Sequence, residues 1–417
     1  MGMVINTNLS ALNTYNKLNT NSNKMNSSLE KLSSGYQINS AADNAAGLSI
    51  SEKMRSQIRG LDQASDNSQN AISLVQTAEG SLSESEDILQ RMRELAVQAS
   101  SDTLTDDDRT AIQDEVDSLV SEIDRIANTT EFNTKNLLDG SMSKKVTASV
   151  ASVDSNTSLA ASASGAAVAG SDTLTTLYNS DGTALSIASG DTVTVSYMIN
   201  GTLHSTSTTV TSSTTLADLV SSGSGVTLAV SSGGTLTATA SGLGTANAVY
   251  GLTFTVKDAD GNENYTATKA LSAFTETTAA QDQKNNDGTA TVLIGANTGQ
   301  TISINIDNMG ATSLGVDNLD VSTVDSADTA ISVIDSAISK VSAQRSSLGA
   351  TQNRLDHTIN NLTTASENLT SAESLIRDVD MASEMATYTK YSVMTQAATS
   401  MLAQANQEPS QVLTLLK

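Results

Sequence analysis

The sequence predicts a mainly α protein with a β-rich insert. A long coiled-coil-like helical rod is assembled from N- and C-terminal segments, amphipathic helices sit at both chain ends, and a β domain fills the middle. Three observations carry this. From Ile331 to Ile376, fourteen positions recur at alternating spacings of three and four, and ten of them are apolar. Such a register keeps one stripe facing a partner helix and runs for about 70 Å at roughly 1.5 Å per residue. A similar pattern passes through Met54, Ile58, Leu61, Ile72, Val75, Ala78, Leu82, Leu89, Met92, Ala96 and Ala99. Finally, the composition switches near residues 141 and 310. The segment between holds 56 Ser and Thr, 17 of the 25 Gly and no Arg, which reads as strands and turns between charged helical flanks.

In chain order the segments divide at 1–44, 45–140, 141–310, 311–376 and 377–417. The first carries Leu9, Leu12, Leu18, Met25, Leu29 and Leu32 at helical spacing, on a background of eight Asn between positions 6 and 26. Asn side chains compete for backbone partners, so this helix is intrinsically weak. The second segment breaks at SSDTLTDDDR, where Thr105 reads as an N-cap with Asp106, Asp107 and Asp108 in the positive first turn. A helix follows with Arg109, Ile112, Val116, Leu119, Ile123 and Ile126 in register.

The middle segment signals hairpins. DTVTVSYMI-NG-TLHSTSTTV is the strongest, with Asn200-Gly201 between alternating runs. VTLAV-SSGG-TLTATA, LTFTVKDADGNENYTATKAL and TVLIGANTGQTISINI are others, and TTLADLVSS suggests a short helix. The last segment carries Met381, Met385, Met394 and Met401 among many Ala and Thr, then Val412, Leu413, Leu415 and Leu416. Both chain ends are amphipathic but weak, and such segments order when a partner covers the apolar stripe. With no obvious home for these stripes within the chain, burial between subunits is the expected sink.

Charge and composition exclude several function classes. The formal net charge of −23 opposes nucleic-acid binding, which needs clustered Lys and Arg, and it opposes electrostatic attachment to anionic lipid. There is no Cys, hence no disulfide, thiolate metal site or Cys nucleophile. No apolar run is long enough to insert in a membrane, and MGMVINTNLS lacks the basic-then-apolar pattern of a cleaved secretory signal. The two histidines, His204 and His357, are too far apart for an HExxH pair. DADGNE fails the calcium-loop spacing and reads as a turn, and the triple Asp106–108 is explained by a helix N-terminus. No cofactor or metal site is expected, and the chain reads as a structural or interaction protein, not an enzyme.

NSSLEKLSSGYQINSAADNAAGLSISEKMRSQIRGL, ISLVQTAEGSLSE, LQRMRELAVQAS and TEFNTKNLLDG resemble the N-terminal region of bacterial flagellin. IGANTGQTISINIDNMGATSLGV and the run from SAISKVSAQRSSLGATQNRLDHTINNL through SLIRDVDMASEM resemble its C-terminal region. The middle matches only in kind, as a variable insert, and Asn44 stands where the family more often has Asp.

This resemblance implies a subunit secreted through the flagellar export apparatus that polymerises into the helical filament for swimming. The end segments (1–44 and 377–417) would pair as helices and line an inner tube, 45–140 and 311–376 would form the coiled-coil rod as an outer tube, and the insert would face the medium. Leu9, Leu12, Leu18, Met25, Leu29, Leu32, Met385, Met394, Met401, Val412, Leu413, Leu415 and Leu416 would be the polymerisation stripes. Implied partners are further copies of the chain, an export chaperone at the C-terminal segment, the filament cap and hook-junction proteins, and the vertebrate Toll-like receptor for flagellin. For that receptor the resemblance points to Arg91, Leu95 and Glu115. Arg91 and Leu95 are four apart and share a helix face, with Leu95 expected as an exposed apolar anchor beside Arg91. A hook–filament junction or cap protein is the alternative.

Overall fold

The computed structural model describes residues 8–199, 202–219, 225–231, 234–284 and 287–415. The order of elements is helix, insert, helix. Helix α1 (Leu9–Ser34) begins at Asn8, whose side chain accepts a hydrogen bond from Ala11 N (3.0 Å). It ends at Gly35, where φ is +78°, a left-handed residue that closes the last turn by donating to Lys31 O. Helix α2 (Ala45–Ala99) follows. Asn44 precedes it and accepts from Gly47 N at 2.9 Å, so the departure from Asp leaves this cap intact.

Helix α3 (Asp106–Thr129) carries the expected cap in full. Asp108 N donates to Thr105 Oγ1 while Thr105 N donates to Asp108 Oδ2, a reciprocal capping box. The turn before it is fixed by Arg109, a buried arginine whose Nε donates to Ala99 O (3.0 Å) and Nη2 to Ser101 O (2.9 Å). It satisfies carbonyls that the end of α2 would otherwise leave open.

The insert begins after a small hairpin, β1 (Glu131–Phe132) with β2 (Lys135–Asn136), turned by Asn133 and Thr134 at positive φ. Its strands are β3 (Val153–Asn156), β4 (Leu159–Ala160), β5 (Tyr178–Asn179), β6 (Thr192–Ile199), β7 (Thr202–Thr209), β8 (Val226–Val230), β9 (Leu236–Ala240) and β10 (Val249–Lys257). Helix α4 (Tyr265–Leu271) and strands β11 (Phe274–Thr278), β12 (Ala290–Leu293) and β13 (Thr301–Ile304) complete it. Two antiparallel sheets, in the orders β10-β6-β7 and β11-β3-β9-β8, contribute to one core. Val193, Val195 and Phe254 come from one sheet and Leu236 and Ala238 from the other, the alternation expected when each sheet keeps one face wet.

The β6–β7 and β8–β9 hairpins form as read, and β12 pairs with β13. The Asn200-Gly201 turn lies outside the described residues. One expected hairpin is corrected: NENYTATKAL is not a return strand. Asn264 caps α4 by accepting from Ala267 N (3.2 Å), and Ala267, Ala270 and Leu271 fall on one buried helical face. The two ends of the insert meet where Val146 and Lys284 exchange backbone hydrogen bonds (3.1 and 2.9 Å). There the Lys284 ammonium also donates to the carbonyls of Gly140, Ser141 and Ser143.

After the insert come the short α5 (Ala311–Leu314), α6 (Val324–Arg377) and α7 (Met381–Leu415). The chain forms two compact units. One takes in the described residues up to Ser68, then Leu293–Gln300 and those from His357 onward. In it, α1 and α7 pack along each other. The other takes in Gln69–Val292 and Thr301–Asp356. Here Leu82, Leu89 and Met92 of α2, Val116 and Ile123 of α3, and Val333, Ile334, Val341 and Leu348 of α6 are buried. Arg345 of α6 bridges Glu79 and Glu86 of α2 at 2.8 and 2.6 Å. Gly251 lets β10 approach α6, since a Cβ there would meet Val333 Cγ2 and Thr329 O within 3 Å.

Candidate interaction surfaces

Two surfaces follow from the residues singled out in the sequence. The first lies between the C-terminal end of α2 and α3. Arg91 projects outward from α2. Its Nε and Nη2 donate to Glu115 Oε1 of α3 (3.0 and 2.9 Å), and its Nη1 donates to Glu94 Oε2 (3.1 Å). Glu115 and then Glu94 hold the guanidinium even more firmly charged than usual. The structure thus brings Arg91 and Glu115 into direct contact across two helices.

Leu95 requires a correction. It is 2% exposed and is no surface anchor. The apolar stripe of α2 is wider here because α3 covers a second face of the helix, and Leu95 turns into that seam. Together with Gln98, Asp108, Ala111 and Ile112, these three residues line a groove of about 420 Å³.

The second surface is formed by the terminal helices, which pair with each other, antiparallel, as the resemblance implied, although their stripes alone show no obvious partner within the chain. Asn8 Nδ2 donates to Ala405 O (2.7 Å), Lys24 lies over the Tyr391 ring, and Tyr36 bridges Asp378. The sheltered row of α1 is Ala11, Thr14, Leu18, Asn21, Met25, Ser28 and Leu32, and that of α7 is Glu384, Tyr388, Tyr391, Thr395, Ala398, Leu402 and Ala405. Both rows keep three-four spacing.

This seam is built largely of small and polar side chains. Leu18, Met25 and Leu32 belong to it, whereas Leu9, Leu12, Leu29, Met385, Met394 and Met401 face outward, each between 41% and 65% exposed. The side chains of Val412, Leu413 and Leu415, and Leu416 altogether, lie outside the described residues.

Sequence reading missed Arg377, which donates to Glu52 (2.9 Å) and lies over the Tyr36 ring at the junction of the terminal helices. It also missed the Arg345 bridge, although Glu79 and Glu86 stand one heptad apart and that spacing was a usable signal. Asp258 is confirmed as a turn residue, accepting from the backbone of Asp260 and Asn262. His204 stacks on Tyr197 within the β6–β7 pair. Among the described residues no group of His, Asp and Glu is arranged to hold a metal ion, and no helix is long and apolar enough to cross a membrane.

Comparison with known proteins bears on both surfaces. Residues 5–143 match the family model of the bacterial flagellin N-terminal helical region, and residues 331–416 that of the C-terminal helical region. A flagellin of Clostridium tyrobutyricum is 47% identical, covering 97% of this chain and 100% of its own. The chain belongs to the bacterial flagellin family. A flagellin of Bacillus subtilis is 38% identical over the full length of both chains. A solved FliC structure from Burkholderia pseudomallei covers 68% of this chain and 99% of its own at 23% identity, with a TM-score of 0.27. The N-terminal flagellin region contains α1, α2 and α3, hence Arg91, Leu95 and Glu115. The C-terminal region contains α7 and most of α6. The flagellin matches therefore fall on the helices that carry both surfaces.

Proposed function

We propose that this chain is the structural subunit of a bacterial flagellar filament, secreted and assembled outside the cell for swimming motility. The observation that carries the reading is the outward exposure of Leu9, Leu12, Leu29, Met385, Met394 and Met401 on paired terminal helices of a flagellin-family chain. Large apolar side chains left exposed along paired helices mark a contact surface, and a second copy presents the same helices. The seam between α1 and α7 consumes the small and polar side chains and leaves the larger apolar ones for neighbouring subunits. Segments 1–44 and 377–417 then serve the inner tube, 45–140 and 311–376 the rod, and 141–310 the exposed insert.

The same reading assigns an export chaperone to the C-terminal segment and places the cap and hook-junction proteins at the filament ends. It offers the groove lined by Arg91, Leu95 and Glu115 to the vertebrate Toll-like receptor for flagellin. A hook-junction or cap role is the less favoured reading, because full-length identity is to flagellins. Electron microscopy of concentrated purified protein tests the proposal. Long filaments of uniform diameter are expected, and failure to polymerise, alone or on filament seeds, overturns it.

A further inference from the structure

One charged cluster of the insert is used by neither surface. Asp154 of β3 is 9% exposed and stands directly opposite Glu276 of β11 in the antiparallel register. Its partner on the other side, in β9, is Ala238. The Glu276 carboxylate is held by Lys340 of α6 at 3.1 Å, and that ammonium also lies 4.9 Å from the centre of the Tyr250 ring of β10. The Asp282 carboxylate also acts electrostatically on Tyr250. Two carboxyl groups thus stand side by side on paired strands, and the ammonium beside them is paired to Glu276, where the four-stranded sheet meets α6. Neighbouring acids disfavour double ionisation.

We infer that Asp154, Glu276 and Lys340 form a proton-controlled latch that holds the β11-β3-β9-β8 sheet on α6 and loosens when Asp154 ionises. With Asp154 protonated, Glu276 and Lys340 form a balanced pair. With Asp154 ionised, a buried carboxylate adds one excess negative charge beside the Glu276–Lys340 pair, and the least costly relief is to admit water between sheet and helix.

Burial first, and then the charge of Glu276, push the Asp154 carboxyl up from 3.8 to about 7, with Lys340 opposing. Burial chiefly, with Glu276, Asp282 and Asp154 adding, raises the Tyr250 phenol, so it stays neutral throughout. The sign follows from linkage. A carboxyl group whose folded value exceeds its unfolded value stabilises the docked state at low pH. That contribution falls as pH rises from the unfolded value and is gone above the folded one. The latch therefore weakens progressively from mild acid to mild alkali.

The test uses the full chain as monomer. Amide hydrogen exchange in 153–156 and 274–278, corrected for intrinsic rates, is compared at about pH 5.5 and about pH 8.5, on either side of the folded value. Protection is expected to fall by about tenfold or more in the natural sequence, because ionising a carboxyl held above its ordinary range weakens the docked state by about a factor of ten per pH unit. It should stay level in Asp154→Asn, which keeps the shape without the charge. Equal protection at both pH values in the natural chain, or the same fall in Asp154→Asn, overturns the latch. Glu276→Gln removes the competing acid while leaving Lys340 in place. The Asp154 carboxyl titration, followed by carbon NMR, should then move to lower pH, and an unmoved midpoint overturns the coupling of Asp154 to Glu276.

Discussion

Arg91 and Glu115 join α2 to α3 through a single oxygen, with Arg91 Nε and Nη2 both donating to Glu115 Oε1. Their side chains remain 50% and 45% exposed. A pair so open to water is screened and adds little to stability. Its effect is to fix two long side chains in one conformation at a groove that Leu95 also lines. Such preorganisation lowers the ordering cost of binding a partner.

The double variant Arg91→Ala, Glu115→Ala is therefore expected to fold and melt like the natural chain. Its affinity for the Toll-like flagellin receptor should fall by roughly thirtyfold or more, the scale of hot-spot residues. Titration calorimetry or biosensor binding on monomer measures this, and unchanged affinity removes the receptor assignment while leaving the filament proposal untouched.

Outward and inward leucines should separate cleanly. Leu89 is fully buried in α2, and Leu89→Ala should cost about 2–5 kcal/mol in denaturant unfolding. Leu12 is 55% exposed on α1. Leu12→Asp should leave monomer helicity unchanged by circular dichroism but raise the concentration needed for polymerisation at least about tenfold, because a charge would have to be desolvated at the contact. A Leu12→Asp chain that sediments as polymer at the natural concentration would contradict the assignment of that face.

Arg345 bridges two α2 carboxylates from α6 and is about one-third exposed. Arg345→Ala removes both ion pairs and leaves Glu79 and Glu86 facing the seam without their cation. A loss of roughly 1–2 kcal/mol is expected after allowing for solvent screening, read as a lower urea midpoint at unchanged slope. Arg345→Met, which restores apolar volume, should recover part of it.

The insert is closed at its base by the Val146–Lys284 backbone pair. Replacing residues 147–283 by a short Gly/Ser turn should therefore preserve α2, α3 and α6 and allow filaments to form, with a lower melting temperature. Electron microscopy of the deleted chain decides this. A folded variant that never polymerises would show that the insert supplies essential contacts.

The α3 cap offers a smaller effect with a defined sign. Thr105→Ala should cost about 1 kcal/mol. Hydrogen bonds from the Thr105 hydroxyl and backbone, with the nearby Arg109 charge, hold the Asp108 carboxyl below 3.8. Its contribution is complete above that value and disappears as pH falls through the lower folded value. In Thr105→Ala this acid sensitivity should be reduced, as measured by helicity against pH.

Much of this fold was legible in the residues. The stripe from Ile331 to Ile376 fell on one helix, SSDTLTDDDR broke two others, and Thr105 capped α3, because periodicity and capping are local properties of a helix. Alternation likewise marked β6 and β7. Arg91 and Glu115 could be named from the resemblance, although nothing in their separate segments required them to touch.

Three outcomes needed the tertiary structure. Leu95 is buried because α3 covers a second face of α2. Residues 265–271 are helical because Asn264 caps them and their Ala and Leu positions pack into the insert core. The seam between α1 and α7 takes Asn21, Ser28, Thr395 and Ala405 and leaves Leu12 and Met401 outside. The physical reason is common to all three. A sequence determines where a side chain lies around its own helix or strand. Which of those faces is covered depends on a second element distant in the chain, and burial belongs to that pairing.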